Sequence, residues 1–154
     1  MAWGLWLFIK SIRVSSSLTN GITAIGSGGL LGHGFNNTPL YFPEMQTDFI
    51  FAVFASNFGF IGVIILLALI IYFDINIIKL GRKSYNNNDK LLVGGIISVL
   101  LFQQIHNISM TIGLLPIMGI TLPFISYGGS SLLSYMILIG MLFNISNENL
   151  RFKN

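Results

Sequence analysis

The chain is predicted to be an all-α, polytopic membrane protein with about three transmembrane helices and a glycine-rich outer loop. Three observations carry that expectation. Of its 154 residues 53% are hydrophobic and only 8% are charged, where a soluble domain carries about 25% charged residues. The mean hydropathy is +0.78. Long stretches hold no charge at all: 25 consecutive positions from Phe49 to Phe73 and 57 from Leu91 to Asn147. Eight basic and five acidic side chains are too few to cover a soluble surface. They are also too sparse for the dense basic stripe of a nucleic-acid groove, so no nucleic-acid partner is expected. The absence of cysteine excludes disulfides and thiolate metal sites.

The first span is placed at about Phe49 to Phe73, because a helix rising about 1.5 Å per residue crosses the roughly 30 Å hydrocarbon layer in that length. A polar stretch, Asp74 to Lys90, follows it and holds Lys79, Arg82, Lys83 and Lys90. The second apolar stretch is too long for one span and suits two. Pro116, Gly119 and Pro123, with Gly128-Gly129 beyond, mark the break. The second span is therefore expected at about Leu91 to Leu115 and the third at about Ser126 to Ile145, with a tight connection between. The polar stretch and the tail with Arg151 and Lys153 are both basic, which puts them on the cytoplasmic side and the C-terminus inside. Lys10 and Arg13 lie outside on this scheme and oppose the bias. Met1 to Ile9 is apolar but short, with no leading positive charge, and predicts no cleaved signal peptide.

Residues 21–34 contain six glycines, Gly21, Gly26, Gly28, Gly29, Gly32 and Gly34. That density favours close backbone approach over a lone lipid-exposed helix, so a re-entrant or surface-lying loop is expected. Its order fits neither a Walker pattern nor G-x-G-x-x-G, and packing explains it better than phosphate binding.

Asp48 is the leading candidate for chemistry. It stands immediately before the first span, where an ionised carboxylate needs water, a counter-charge or a substrate. The plainer alternative is an acidic residue complementing the helix N-terminus. Glu44, four residues earlier, shares its face if the segment is helical. Gln103, Gln104, His106 and Asn107 form a polar arc of about 160° on the second span. Helix–helix hydrogen bonding is the better reading of it than catalysis. His106 has no second ligand at i+3 or i+4. The Ser126 to Ser131 run lacks a G-x-S-x-G elbow and reads as small-residue packing.

Three segments in order resemble the shape, elongation, division and sporulation family of RodA, FtsW and SpoVE, with RodA the nearest branch. They are Ala24 to Gly32; Leu40-Tyr41-Phe42-Pro43-Glu44 leading into Thr47-Asp48-Phe49-Ile50-Phe51-Ala52-Val53; and Leu114-Leu115-Pro116, Gly119 and Leu122 to Ser131. The resemblance covers about residues 21–147, leaving 1–20 unplaced and 148–154 as a cytoplasmic tail. Gln46 stands where relatives commonly carry His, Ser56-Asn57 where an acidic pair is usual, and His33 where a lysine is frequent.

The resemblance implies a multi-pass protein of the bacterial cytoplasmic membrane that polymerises lipid II as a peptidoglycan glycosyltransferase in cell-wall and cell-shape synthesis. It implies Asp48 as the catalytic carboxylate, with substrate or cation contacts at Glu44, Gln46, Thr47 and Ser130. A divalent cation, Mg or Mn, and a class B penicillin-binding transpeptidase partner also follow from it. The family has about ten spans, so the resemblance implies a C-terminal part that acts with helices from another chain. The alternatives are a non-catalytic remnant or scaffold of the cell-wall complex, or transport of a lipid-linked substrate.

Overall fold

A computed structural model describes residues 16–34 and 47–151. Among these residues every regular element is helical: α1 (residues 16–27), α2 (Ile50–Lys83), α3 (Asn87–Thr111) and α4 (Gly129–Arg151). The last three are long and apolar enough to cross a membrane, in agreement with the expected all-α architecture. Their outward faces carry large apolar side chains such as Ile64, Leu69, Phe102 and Ile137, all at least half exposed. Apolar exposure on that scale is a liability in water and a match for acyl chains or further helices.

The first span runs farther than expected. α2 has 34 residues, about 51 Å at the helical rise, and continues ten residues past Phe73. Asp74 therefore does not open a polar loop. It is buried, and the Gln104 side-chain amide donates to its carboxylate at 3.2 Å. A helix can carry a carboxylate inward when a partner helix supplies the donor. That donor lies 30 residues away in the chain.

Length is accommodated by a break. At Gly59 the backbone leaves helical geometry (φ 65°, ψ −165°), a region open essentially to glycine alone. The loop after α1 fills the gap. Phe60 N–H donates to the Gly29 carbonyl at 2.9 Å and Ile61 N–H to that of Leu30 at 3.2 Å. In return His33 N–H donates to the Ser56 carbonyl at 3.0 Å and Gly34 N–H to that of Asn57 at 3.1 Å. Main-chain groups freed by the break are thus paired inside the protein, as a membrane interior demands. The glycine-rich stretch is accordingly a loop only from Gly28, its earlier part being helical, and it is inserted into α2. A side chain at Gly32 would collide with the Asn57 main chain.

Below the break, α2, α3 and α4 enclose one core of Ile77, Val93, Ile96, Leu100, Tyr135, Leu142 and Ile145. Gly81 brings α2 close to α3, where an added Cβ would sit 2.9 Å from Val93. The hairpin between them is held by the Ser84 hydroxyl, which donates to Asp89 at 3.2 Å.

The link from α3 to α4 is longer than the tight connection expected. α3 stops at Thr111, and residues 112–128 dip back into the bundle. The Thr121 and Tyr135 hydroxyls lie 3.3 Å apart, and Tyr135 in turn donates to Gln103 at 3.0 Å. The Phe124 ring meets Phe73 of α2 at 5.5 Å and Tyr135 of α4 at 5.1 Å. Phe124 adopts φ 64°, and the turn around it is closed by Ser126, whose N–H donates to the Leu122 carbonyl and whose hydroxyl accepts from Leu122 N–H.

Candidate active site at the head of α2

Asp48 lies in the turn 47–49 that leads into α2, and it is half-buried. Four parts of the chain meet there. Phe49 and Ala52 are fully buried against Leu18 and Ile25 of α1 and Ile117 of the 112–128 segment. Gly21 lets α1 approach, since an added Cβ would touch the Phe49 ring at 3.0 Å. From α3, Asn107 reaches in. Its side-chain amide donates to the Asp48 main-chain carbonyl at 2.9 Å and to the Ile120 carbonyl at 2.7 Å. One fully buried amide thereby ties the head of α2 to the dipping segment.

Gly119 of that segment stands close to the carboxylate. It has φ 67°, and a Cβ placed on it would stand 3.5 Å from Asp48 Oδ2. A side chain at this position would crowd the acid. The helix N-cap is Phe49, one residue beyond Asp48, so the positive end of the α2 dipole faces the carboxylate and favours negative charge there. The arrangement presents one acid on a fixed backbone beside a glycine, at the head of a helix that carries no charge before Asp74. It can accept a proton or bind a cationic group.

The other expected residues divide. Thr47 adjoins Asp48 in the turn and is half-buried. Glu44 and Gln46 lie outside the described residues. Ser130 is exposed on the first turn of α4, its carbonyl accepting the Ser134 hydroxyl at 3.0 Å, and no described contact joins it to Asp48. His106 is buried, with Nδ1 lacking a partner among the described residues and its ring 5.7 Å from that of Phe102. Among the described residues no three His, Cys, Asp or Glu side chains come together as a metal site.

Residues 12–151 match the cell cycle protein family of FtsW, RodA and SpoVE. The chain belongs to this family. It is 45% identical over 137 residues to a probable peptidoglycan glycosyltransferase FtsW of Coxiella burnetii, a match covering 85% of this chain and 37% of that protein. Among solved structures it is similar to a chain of a peptidoglycan synthase complex that coordinates polymerization and crosslinking. That likeness has a TM-score of 0.71 at 27% identity, over 85% of this chain and 37% of the other. It is also similar to a variant of the rod shape determining protein RodA of Thermus thermophilus, with a TM-score of 0.62 at 34% identity, over 79% and 37%. The chain spans little more than a third of the length of the curated relatives it matches.

Within a FtsW/RodA/SpoVE protein the polar arc of α3 acquires a definite role. Gln104 holds α2, Gln103 holds α4 through Tyr135, and Asn107 holds the Asp48 turn. Helix–helix bonding was the expected use of these residues. Asn107 also places the candidate acid, and the sequence signals only that it is polar within an apolar helix. Gly119 shows as a break residue in the sequence, with nothing to indicate that it lies beside Asp48.

Proposed function

We propose that the chain forms the Asp48-bearing part of a peptidoglycan glycosyltransferase that extends glycan strands from lipid II. The observation that carries this reading is the Asp48 carboxylate set beside Gly119, on a turn whose carbonyl is held by Asn107. A general base must come within about 2.6–3.2 Å of the proton it takes, which demands such a fixed turn. Asp48 takes the proton of an acceptor-sugar hydroxyl as that oxygen bonds to the anomeric carbon of the donor. The bond from that carbon to the lipid pyrophosphate breaks, and the pyrophosphate leaves with the electron pair. Lys79, Arg82, Lys83 and Lys90 lie at the opposite end of α2 and the start of α3. With that end cytoplasmic, Asp48 faces the outer leaflet where the strand grows.

A divalent cation here would draw on Asp48 and on Glu44. The described residues supply a single carboxylate at the mouth and no cluster of three ligands, so no step is assigned to a cation. The likeness to a chain of a complex that couples polymerization to crosslinking supports a class B penicillin-binding transpeptidase as partner. FtsW and RodA proteins both match, and the reading concerns the polymerase chemistry that their names share rather than division or elongation.

The test is polymerisation of fluorescent lipid II in proteoliposomes by the chain together with the remaining helices of the family bundle. Asp48→Ala and Asp48→Asn are expected to lower the rate about 10²- to 10⁴-fold, the range of a lost general base, with helicity unchanged. Polymerisation at the unmodified rate in both variants would overturn the assignment and favour a scaffold.

A further inference from the structure

At the other end of the bundle, between α2 and α4, lies a cleft that the glycosyltransferase reading does not use. Its inner part is a slot of about 240 Å³ lined by Phe73, Ile77, Leu80, Ile139, Leu142 and Phe143. Its mouth is a wider hollow of about 600 Å³ with Lys79, Lys83, Tyr85 and Asn149 in its wall. Asn76, Leu80 and Ser146 line both, so the two are one continuous passage from apolar to basic.

The mouth is built of donors. Lys79 and Lys83 are four apart on α2 and share a face. The Asn149 side-chain nitrogen is buried and has no hydrogen-bond partner among the described residues. Asn76 uses its own amide on the Tyr72 carbonyl at 2.8 Å, whereas Asn149 lines the hollow with its unpaired amide nitrogen shielded just beneath the wall. Among the described residues no carboxylate is in this wall. Two ammonium groups and an unpaired amide above a greasy slot suit an anion on an acyl chain. A soluble anion leaves the slot empty, and a neutral lipid leaves the donors unanswered. Basic pockets between transmembrane helices at the membrane surface take anionic headgroups on the same grounds.

We propose that this cleft binds one anionic phospholipid. The phosphate sits between Lys79, Lys83 and Asn149, and one acyl chain enters the slot between α2 and α4. Bound lipid would then fasten α4 to the lower half of α2, a pair of helices that otherwise meet sparsely.

Native mass spectrometry of the full chain, released from micelles with added lipid, tests this. Phosphatidylglycerol is expected to remain bound at one per chain under conditions that strip phosphatidylcholine of the same acyl length. Lys79→Gln/Lys83→Gln should weaken retention about 30-fold, the contribution of two basic residues at an anionic surface. Arg82→Gln/Lys90→Gln removes equal charge outside the cleft and should leave retention unchanged. Ile139→Trp fills the slot and should also release the lipid while both lysines remain. Equal loss in the Arg82/Lys90 pair, equal retention of phosphatidylcholine, or glycerol phosphate binding as tightly as the lipid would each overturn the proposal.

Discussion

Replacing Asn107 by Ala should separate the head of α2 from the segment that carries Gly119. The side chain is fully buried and gives two hydrogen bonds, to the carbonyls of Asp48 and Ile120. In a soluble protein each abandoned carbonyl would cost about 1–3 kcal/mol. Side-chain hydrogen bonds in membrane bundles contribute less, about 0.6 kcal/mol on average and about 1.7 at most, because the unfolded chain in the bilayer also finds partners. Asn107 Oδ1 is itself buried without a partner among the described residues, so its removal returns part of the loss. Two bonds on the membrane scale give about 1–3 kcal/mol. That is the expected fall in unfolding free energy, measured by SDS titration in mixed micelles. Asn107→Asp should cost more, since it sets a carboxylate against two carbonyls in place of a donor.

The informative readout is polymerisation. A displacement near 1 Å of a reacting group can reduce a rate about 10²-fold, so Asn107→Ala should lose about ten- to a hundredfold with Asp48 intact. Ser98→Ala serves as reference, because among the described residues the Ser98 hydroxyl bonds only to its own helix at Gly94, on an exposed face. It should stay within about 0.5 kcal/mol. A stability loss in Asn107→Ala with full polymerisation would refute the claim that this amide positions the acid.

Gly59→Ala places a Cβ against Gly32 N and the Leu30 carbonyl in a backbone region barred to alanine. It should cost at least about 1–3 kcal/mol and speed hydrogen exchange at the Phe60 and Ile61 amides. Asp74→Leu should leave the Gln104 amide unpaired and destabilise by about 1–2 kcal/mol. Asp74→Leu/Gln104→Leu should recover most of that in the same SDS titration. Phe124→Ala loses two ring contacts of about 0.5–1.5 kcal/mol each. Phe124→Gly loses the same contacts but relieves the positive φ, so it should be the more stable of the two by up to about 1–2 kcal/mol.

Span number was legible because it follows from uncharged length alone, and length is a one-dimensional property. Span boundaries were less so, for a reason that Asp74 makes concrete. A carboxylate after twenty-five apolar residues reads as the end of a span, yet Gln104 pays its desolvation from across the α2–α3 interface. The glycine-rich stretch announced close approach, but not that its target is a break in another helix. Gly59, between Phe58 and Phe60, shows in sequence only as an isolated helical glycine. The candidate acid was legible from its place at the lip of a span and from the resemblance. Its support was not, because Asn107 acts on main-chain carbonyls, and a carbonyl carries no residue identity.

The Asp48 turn receives the Asn107 amide on its backbone and the acid has a glycine close by, so part of its placement does not depend on the identity of neighbouring side chains. The resemblance implies two departures near the site, Gln46 for His and Ser56-Asn57 for an acidic pair. Ser56 and Asn57 contribute the carbonyls that receive His33 and Gly34 at the α2 break, a task for which any side chain serves if its volume fits. An acid placed there should therefore leave the main-chain bonds of the break and the helical content intact. Any change in polymerisation would then report electrostatics at the mouth rather than folding. Ser56→Glu, whose side chain is wholly buried, is the exception expected to destabilise. Asn57→Asp should cost less, because the residue is half-exposed and only its Oδ1 is buried without a partner among the described residues; a shift as large as that of Gly59→Ala would show that the break depends on side chains after all.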